Sequence, residues 1–264
     1  MRTLFKATRI ILLLVIFAVI AFYTKTQRLK SQAWARPLQV VIYPMNSSKS
    51  PELEKYISQL DSATFSDIDR FFQTEAEHYG LSIVQPTQTL LGPTIEQLPP
   101  VAPKPSASYA EVIWWGLKFR YWSYTNTPDN NSNLHRIRVF LHYHEVEENK
   151  QLQHSLGLQK GLLAIVHAFA AKSQEQKNNI IIAHELLHTV AATDKYDNNK
   201  QAIFPHGYAE PDKSPLFPQT LAEIMAVTIP ASETDSVMAE SLTQCVIGDK
   251  TAEEINWLQA SSNK

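Results

Sequence analysis

The stretch Ile180–Tyr196, IIIAHELLHTVAATDKY, constrains this chain more than any other. His184 and His188 are four residues apart, and on a helix that spacing stacks two side chains one turn above the other. Ile180, Ile181, Ile182, Ala183, Leu186, Leu187, Val190 and Ala191 make the stretch apolar nearly all round, which predicts a buried central helix. Two imidazoles and the Glu185 carboxylate are costly to desolvate there without a partner. A metal ion removes that cost, whereas histidines that merely hydrogen-bond in a core are the alternative. Paired helical histidines with an adjacent glutamate have the donor set of a catalytic zinc site, the glutamate serving as general base. The sequence therefore predicts Zn2+ held by His184 and His188, with Glu185 as the catalytic base. Such a site needs a third protein ligand and an open fourth position.

The rest of the composition restricts what surrounds that helix. The chain has 264 residues, 44% hydrophobic and 19% charged, which suffices for a sizeable core. A net charge of −2 gives no bulk electrostatic case for nucleic acid, so none is expected as a partner. The single cysteine, Cys245, excludes an intramolecular disulfide and any cysteine-built zinc finger. At the N-terminus, Arg2, Lys6 and Arg9 precede an uncharged, largely aliphatic run, Ile10–Tyr23, and Lys25, Arg28 and Lys30 follow it. That run is short for a bilayer span, but flanking cations can snorkel and extend it. Ala33-Trp34-Ala35 has the form of a cleavage site, yet it lies far downstream and precedes Arg36-Pro37. The expectation is an uncleaved signal anchor with the large C-terminal part exported to the periplasm or the cell exterior; a cleaved, secreted form is the alternative. Residues 1–36 then comprise a cytoplasmic tail, the anchor and a short linker, and 37–264 a single domain that carries the expected zinc helix.

Within that domain, Leu38–Met45 reads as a strand, Ser50-Pro51-Glu52 as a helix start, and Thr64–Tyr79 as a helix closing at Gly80. Leu81–Val84 reads as a short strand. Pro86–Pro105 holds six of the fifteen prolines and is expected to be irregular. Tyr109–Trp122 carries Trp114, Trp115, Phe119 and Trp122 at helical spacing, a stripe read as core packing. Thr125–Asn133 is a polar turn segment. His135–Val146 alternates as a strand, and Gly161–Ala170 is a second, more apolar strand. Ser173 and Gln176 have capping-box spacing at the start of the zinc helix.

Downstream of His188, Asp194 lies where the chain can turn back to the metal. HELLHTVAATD resembles the extended zinc motif of the metzincin clan of metallopeptidases, H-E-x-x-H-x-x-G-x-x-H/D, in its aspartate variant. The Asp-x-Tyr of Asp194-Lys195-Tyr196 is similar to the snapalysins, small bacterial zinc endopeptidases. The likeness spans about residues 160–260. It implies Asp194 as third ligand, Tyr196 as a stabiliser of the transition state, and Met225, within LAEIMA, in a methionine turn beneath the zinc. It further implies an α/β (α+β) fold, a metzincin-like mixed twisted sheet with an active-site helix and a closing C-terminal helix at Thr251–Leu258. It also implies an antiparallel edge strand above the cleft, which Gly161–Ala170 would supply, to bind an extended peptide or protein substrate by strand addition. Where the clan has glycine this chain has Ala191, so the turn out of the helix is expected to differ in detail. Glu223 competes as third ligand, as in gluzincin-type peptidases, followed by Asp197 and His206.

Elsewhere, His142 and His144 share one face of a strand, a spacing compatible with a metal pair or with an ordinary solvent-facing strand. His167 reads as a cleft or core residue, and Tyr208 as a pocket-lining one in the proline-rich loop Asn198–Gln219. The reading is a membrane-anchored zinc endopeptidase. Its alternatives are an idle, zinc-stabilised envelope domain that binds a protein partner, and a hydrolase of non-peptide amides.

Overall fold

The computed structural model describes residues 2–104, 106–127, 136–146 and 152–259. The chain opens with helix α1 (Arg2–Ser31), whose apolar side chains from Ile10 to Phe22 are exposed. The part from Thr8 to Ser31 has 24 residues and contains an 18-residue window with a mean hydropathy of 2.0, of which 6% is buried. At 1.5 Å per residue it is about 36 Å long, enough to cross a hydrocarbon layer of about 30 Å. The helix runs past both ends of the aliphatic run, which is why the run alone looked short.

The body is built on a five-stranded mixed sheet. It comprises β1 (Leu38–Asn46), β2 (Thr87–Leu91), β3 (Arg136–His144), β4 (Leu156–Leu158) and β5 (Leu163–Phe169), in the order β2-β1-β3-β5-β4. All neighbours are parallel except β4, which pairs antiparallel to β5 with Gly157 opposite Ala164. Parallel strands covered on both faces become apolar on both, and each face here has its own cluster. On one, Ile42, Val139, Leu141 and Val166 pack against α3 (Ser66–His78) and α5 (Glu175–Thr189). On the other, Tyr43, Phe140 and Ile165 pack beneath Trp115 and Phe119 of α4 (Tyr109–Asn126). Short α2 (Pro51–Ile57) starts at Ser50, whose side chain accepts from the Leu53 amide, as its Ser-Pro-Glu signature implies.

Several expectations change. Pro86–Pro105 contains β2, because Thr87–Leu91 is proline-free and Leu38–Ile42 offers it a parallel partner. Leu81–Val84 is not a strand. Gly161–Ala170 forms β5, an interior parallel strand, and the antiparallel edge is β4, three residues too short to show a periodic pattern. Ser173 and Gln176 form no capping box, because the helix is entered through a 3-10 turn, Lys172–Gln174. Trp115 and Phe119 are buried as expected, but Trp114 points out to solvent. The polar segment Thr125–Asn133 lies partly outside the described residues, as does His135.

Below α5 the chain is braced by short pairings of β6 (Ala222–Glu223) with β9 (Cys245–Val246) and of β7 (Thr228–Pro230) with β8 (Ser236–Met238). The final helix α6 (Asp249–Glu254) covers less than Thr251–Leu258 implied, ending as Asn256 takes a positive φ of 62°.

Candidate metal centre

Helix α5 presents His184 and His188 from adjacent turns, with their Nε2 atoms 3.1 Å apart. Each Nδ1 faces a backbone carbonyl, His184 that of Ile224 at 3.1 Å and His188 that of Ala192 at 2.9 Å. With each Nδ1–H donating there, both Nε2 atoms turn lone pairs toward the same point. Asp194 completes the group, its Oδ1 standing 3.2 Å from both Nε2 atoms. Three acceptors facing one another repel unless a cation lies among them. Tetrahedral zinc with ligands at about 2.0–2.1 Å spaces them by about 3.3–3.4 Å, close to the triangle observed. The residues fit zinc on both donor type and spacing.

Asp194 reaches the histidines through the end of α5. The Ala192 amide bonds to the Leu187 carbonyl at 3.0 Å and the Ala191 amide to that of His188 at 3.2 Å, the pair of bonds that closes a Schellman motif. Ala191 occupies the left-handed position with φ of 87°. The turn therefore has the conformation that glycine would give it, and the expectation of a different turn is corrected. Asp194 is then held by its neighbours. Lys195 is buried, its ammonium 2.8 Å from Glu254 Oε2 and 2.7 Å from the Thr193 carbonyl, while Glu254 also accepts from the Thr193 amide at 2.8 Å.

Glu223 is engaged elsewhere. Fully buried, it accepts from the amides of Met225 at 2.6 Å, Ala226 at 3.1 Å and Gly248 at 3.2 Å, and from the Thr251 hydroxyl at 2.6 Å. Its carboxylate shapes the turn that contains Met225. That methionine is wholly buried, one residue beyond the Ile224 carbonyl on which His184 rests. Asp197 is consumed in its own turn, accepting from the Asn199 and Gln201 amides, and His206 is exposed.

Glu185 is 5% exposed, and its Oε2 is enclosed without a hydrogen-bond partner. Burial raises its pKa, the two histidines pull it back down, and the Gly157 amide bonds to it from β4. A carboxyl group whose charged form is held back by burial is suited to accept and release a proton. Gly157 was not legible as functional, since a lone glycine before a strand carries no motif. A Cβ there would meet the Glu185 carbonyl and lie 2.6 Å from His188 Cβ, so only glycine lets the edge strand lie this close to the helix.

Tyr196 stacks near His184 with centroids 6.3 Å apart. Burial, the Asp194 charge and a hydrogen bond to Asp194 all raise its hydroxyl pKa, so it stays a protonated donor. The Lys200 ammonium lies 4.4 Å from the Tyr196 ring centre and 2.9 Å from His154 Nε2, placing His154 at the rim, another residue the sequence did not single out. Tyr208 is buried against Phe204 and Phe217. On the other sheet face, His167 joins His142 and His144, and all three are half-buried. Comparison of the chain with protein-family models and with curated proteins finds no match.

Proposed function

We propose that this chain is a membrane-anchored zinc endopeptidase of metzincin-like type, with His184, His188 and Asp194 as ligands and Glu185 as general base. One observation carries the reading: three acceptor atoms 3.1–3.2 Å apart converge beside a buried glutamate that has an unpartnered oxygen. The Asp-x-Tyr sequence and the buried Met225 turn support the likeness to snapalysins.

Bound zinc would supply Lewis acidity at the substrate carbonyl and a water of near-neutral pKa. Glu185 takes the proton of the attacking water and later hands it to the leaving amine. The Gly157 amide orients the glutamate, and the carbonyls of Ile224 and Ala192 fix the ring orientations of the two histidines. Tyr196 donates to the oxyanion that develops on the carbonyl. An extended peptide adds to the outer edge of β4, which brings its backbone past Glu185.

The anchor supports a location. Trp34, inside the Ala-x-Ala tripeptide, is 5% exposed and donates to the Ile255 carbonyl at 2.7 Å, so cleavage after Ala35 would remove a core side chain. On this reading the chain is retained by α1, with its body facing the periplasm or the exterior. The test is Glu185→Ala in the full-length, detergent-solubilised protein, assayed on unfolded casein after metal analysis. Zinc content should be retained and hydrolysis should fall by about 10²–10⁴-fold. Undiminished hydrolysis would sink the proposal. A zinc-loaded wild type without hydrolysis would favour the idle, partner-binding alternative.

A further inference from the structure

The sheet face opposite α5 holds a second group of imidazoles that the peptidase reading leaves unused. His142 and His144 are two residues apart on β3 and so share a face. His167 on β5 pairs directly opposite His142. Their ring centroids are 4.7, 5.1 and 5.2 Å apart, and one ligand nitrogen from each lies within 4.8 Å of the others. His144 Nε2 and His167 Nδ1 are 2.9 Å apart, and a hydrogen bond accounts for that pair. It does not account for His142, whose Nε2 is enclosed without a partner. A buried ring nitrogen left unpaired is costly, and water or an ion relieves it.

We propose that His142, His144 and His167 form a second metal site, distinct from the α5 centre, that binds zinc or another divalent ion of the later first transition series. Three imidazoles select such ions over magnesium or calcium, whose preferred donors are oxygens. Two donors from one strand and one from its neighbour form a three-sided set that leaves a fourth position open, and the rings are partly accessible for an ion to enter. Burial keeps His142 and His167 far below the usual histidine range, near 3 and 4, so both are neutral donors at pH 7. The ion would cross-link β3 to β5 at their carboxyl ends, where the sheet continues into the loop before α5.

The experiment titrates zinc, and then cobalt(II) as a spectroscopic probe, into three forms of the full-length protein stripped with chelator. The wild type should bind two ions per chain, His184→Ala/His188→Ala one, and His142→Phe/His167→Ala one. Phenylalanine preserves ring volume at that position, and circular dichroism checks the fold. The ion kept by the α5 variant should show the cobalt absorption of a site with three nitrogen donors. The inference is overturned if the folded α5 variant binds none, or if both the wild type and the β3/β5 variant bind one with the same spectrum. Retention of two ions by the α5 variant would sink the peptidase site instead, so the two failures are distinguishable. If the double variant of β3 and β5 unfolds, the single change His142→Phe, read by loss of the second cobalt band, carries the test.

Discussion

Ala191 turns the chain back so that Asp194 meets the two histidines, and it does so in a conformation that a side chain disfavours. With φ of 87°, its Cβ crowds the backbone, at a cost of roughly 1–2 kcal/mol. Glycine at this position removes the clash but adds freedom to the unfolded chain, worth roughly 0.4–1 kcal/mol in the other direction. Ala191→Gly should therefore stabilise the protein by about 1 kcal/mol or slightly less, read as a higher urea midpoint with zinc content unchanged. A midpoint that falls would mean that the turn at Ala191 is not left-handed. Gly157 makes the reverse demand. There the missing Cβ, rather than φ, lets the edge strand touch the helix.

Among the elements, α6 acts on the proposed metal centre without touching it. Its Glu254 neutralises buried Lys195 and accepts from the Thr193 amide and hydroxyl, so it braces the loop on both sides of Asp194. Glu254→Gln keeps the shape and removes the charge, and zinc affinity should drop by roughly 10–100-fold, as for other supports of metal ligands. Competition with a chelator of known affinity measures it. Burial alone would raise the pKa of Glu254, but the bonds from Lys195 and Thr193 prevail and lower it. A carboxyl whose folded-state pKa is depressed adds stability above its unfolded value, about 4.3, and loses it as pH falls through the folded value. The zinc-free wild type should thus lose stability on acidification below that point. The Glu254→Gln difference in urea midpoint should be largest at pH 7 and shrink toward pH 3. A difference that is constant with pH would remove the charge from the explanation.

At the scale of the whole molecule, helix α1 and the body are joined without slack. Gln32 donates to the carbonyls of Val190, just beyond α5, and Glu254, and Trp34 packs edge-on against Trp257 with centroids 5.2 Å apart. Residues 31–34 thus belong to the packed body and are no loose linker. The full-length chain should remain in alkali-extracted membranes at its intact mass. Trp34→Ala should cost about 3–5 kcal/mol, seen as a lowered denaturation midpoint of the detergent-solubilised protein. A stably folded soluble form starting at Arg36 would overturn both the anchor and the role of Trp34.

The sequence by itself determined what is local. The i, i+4 histidines, the apolar helix around them, the Ser-Pro-Glu helix start before Leu53, the alternation of β3 and the aliphatic N-terminus all follow from near-neighbour geometry, which residue spacing records directly. Only the tertiary structure decided what depends on distant segments meeting. It put Asp194 rather than Glu223 beside the histidines, because Ala191 turns the chain and the backbone amides of the Met225 turn occupy Glu223. It made β4, not Gly161–Ala170, the edge strand, because strand order is a matter of pairing partners and three residues carry no pattern. It brought His167 to His142 and His144 across a strand pair, where no linear spacing could show that the three rings share one place.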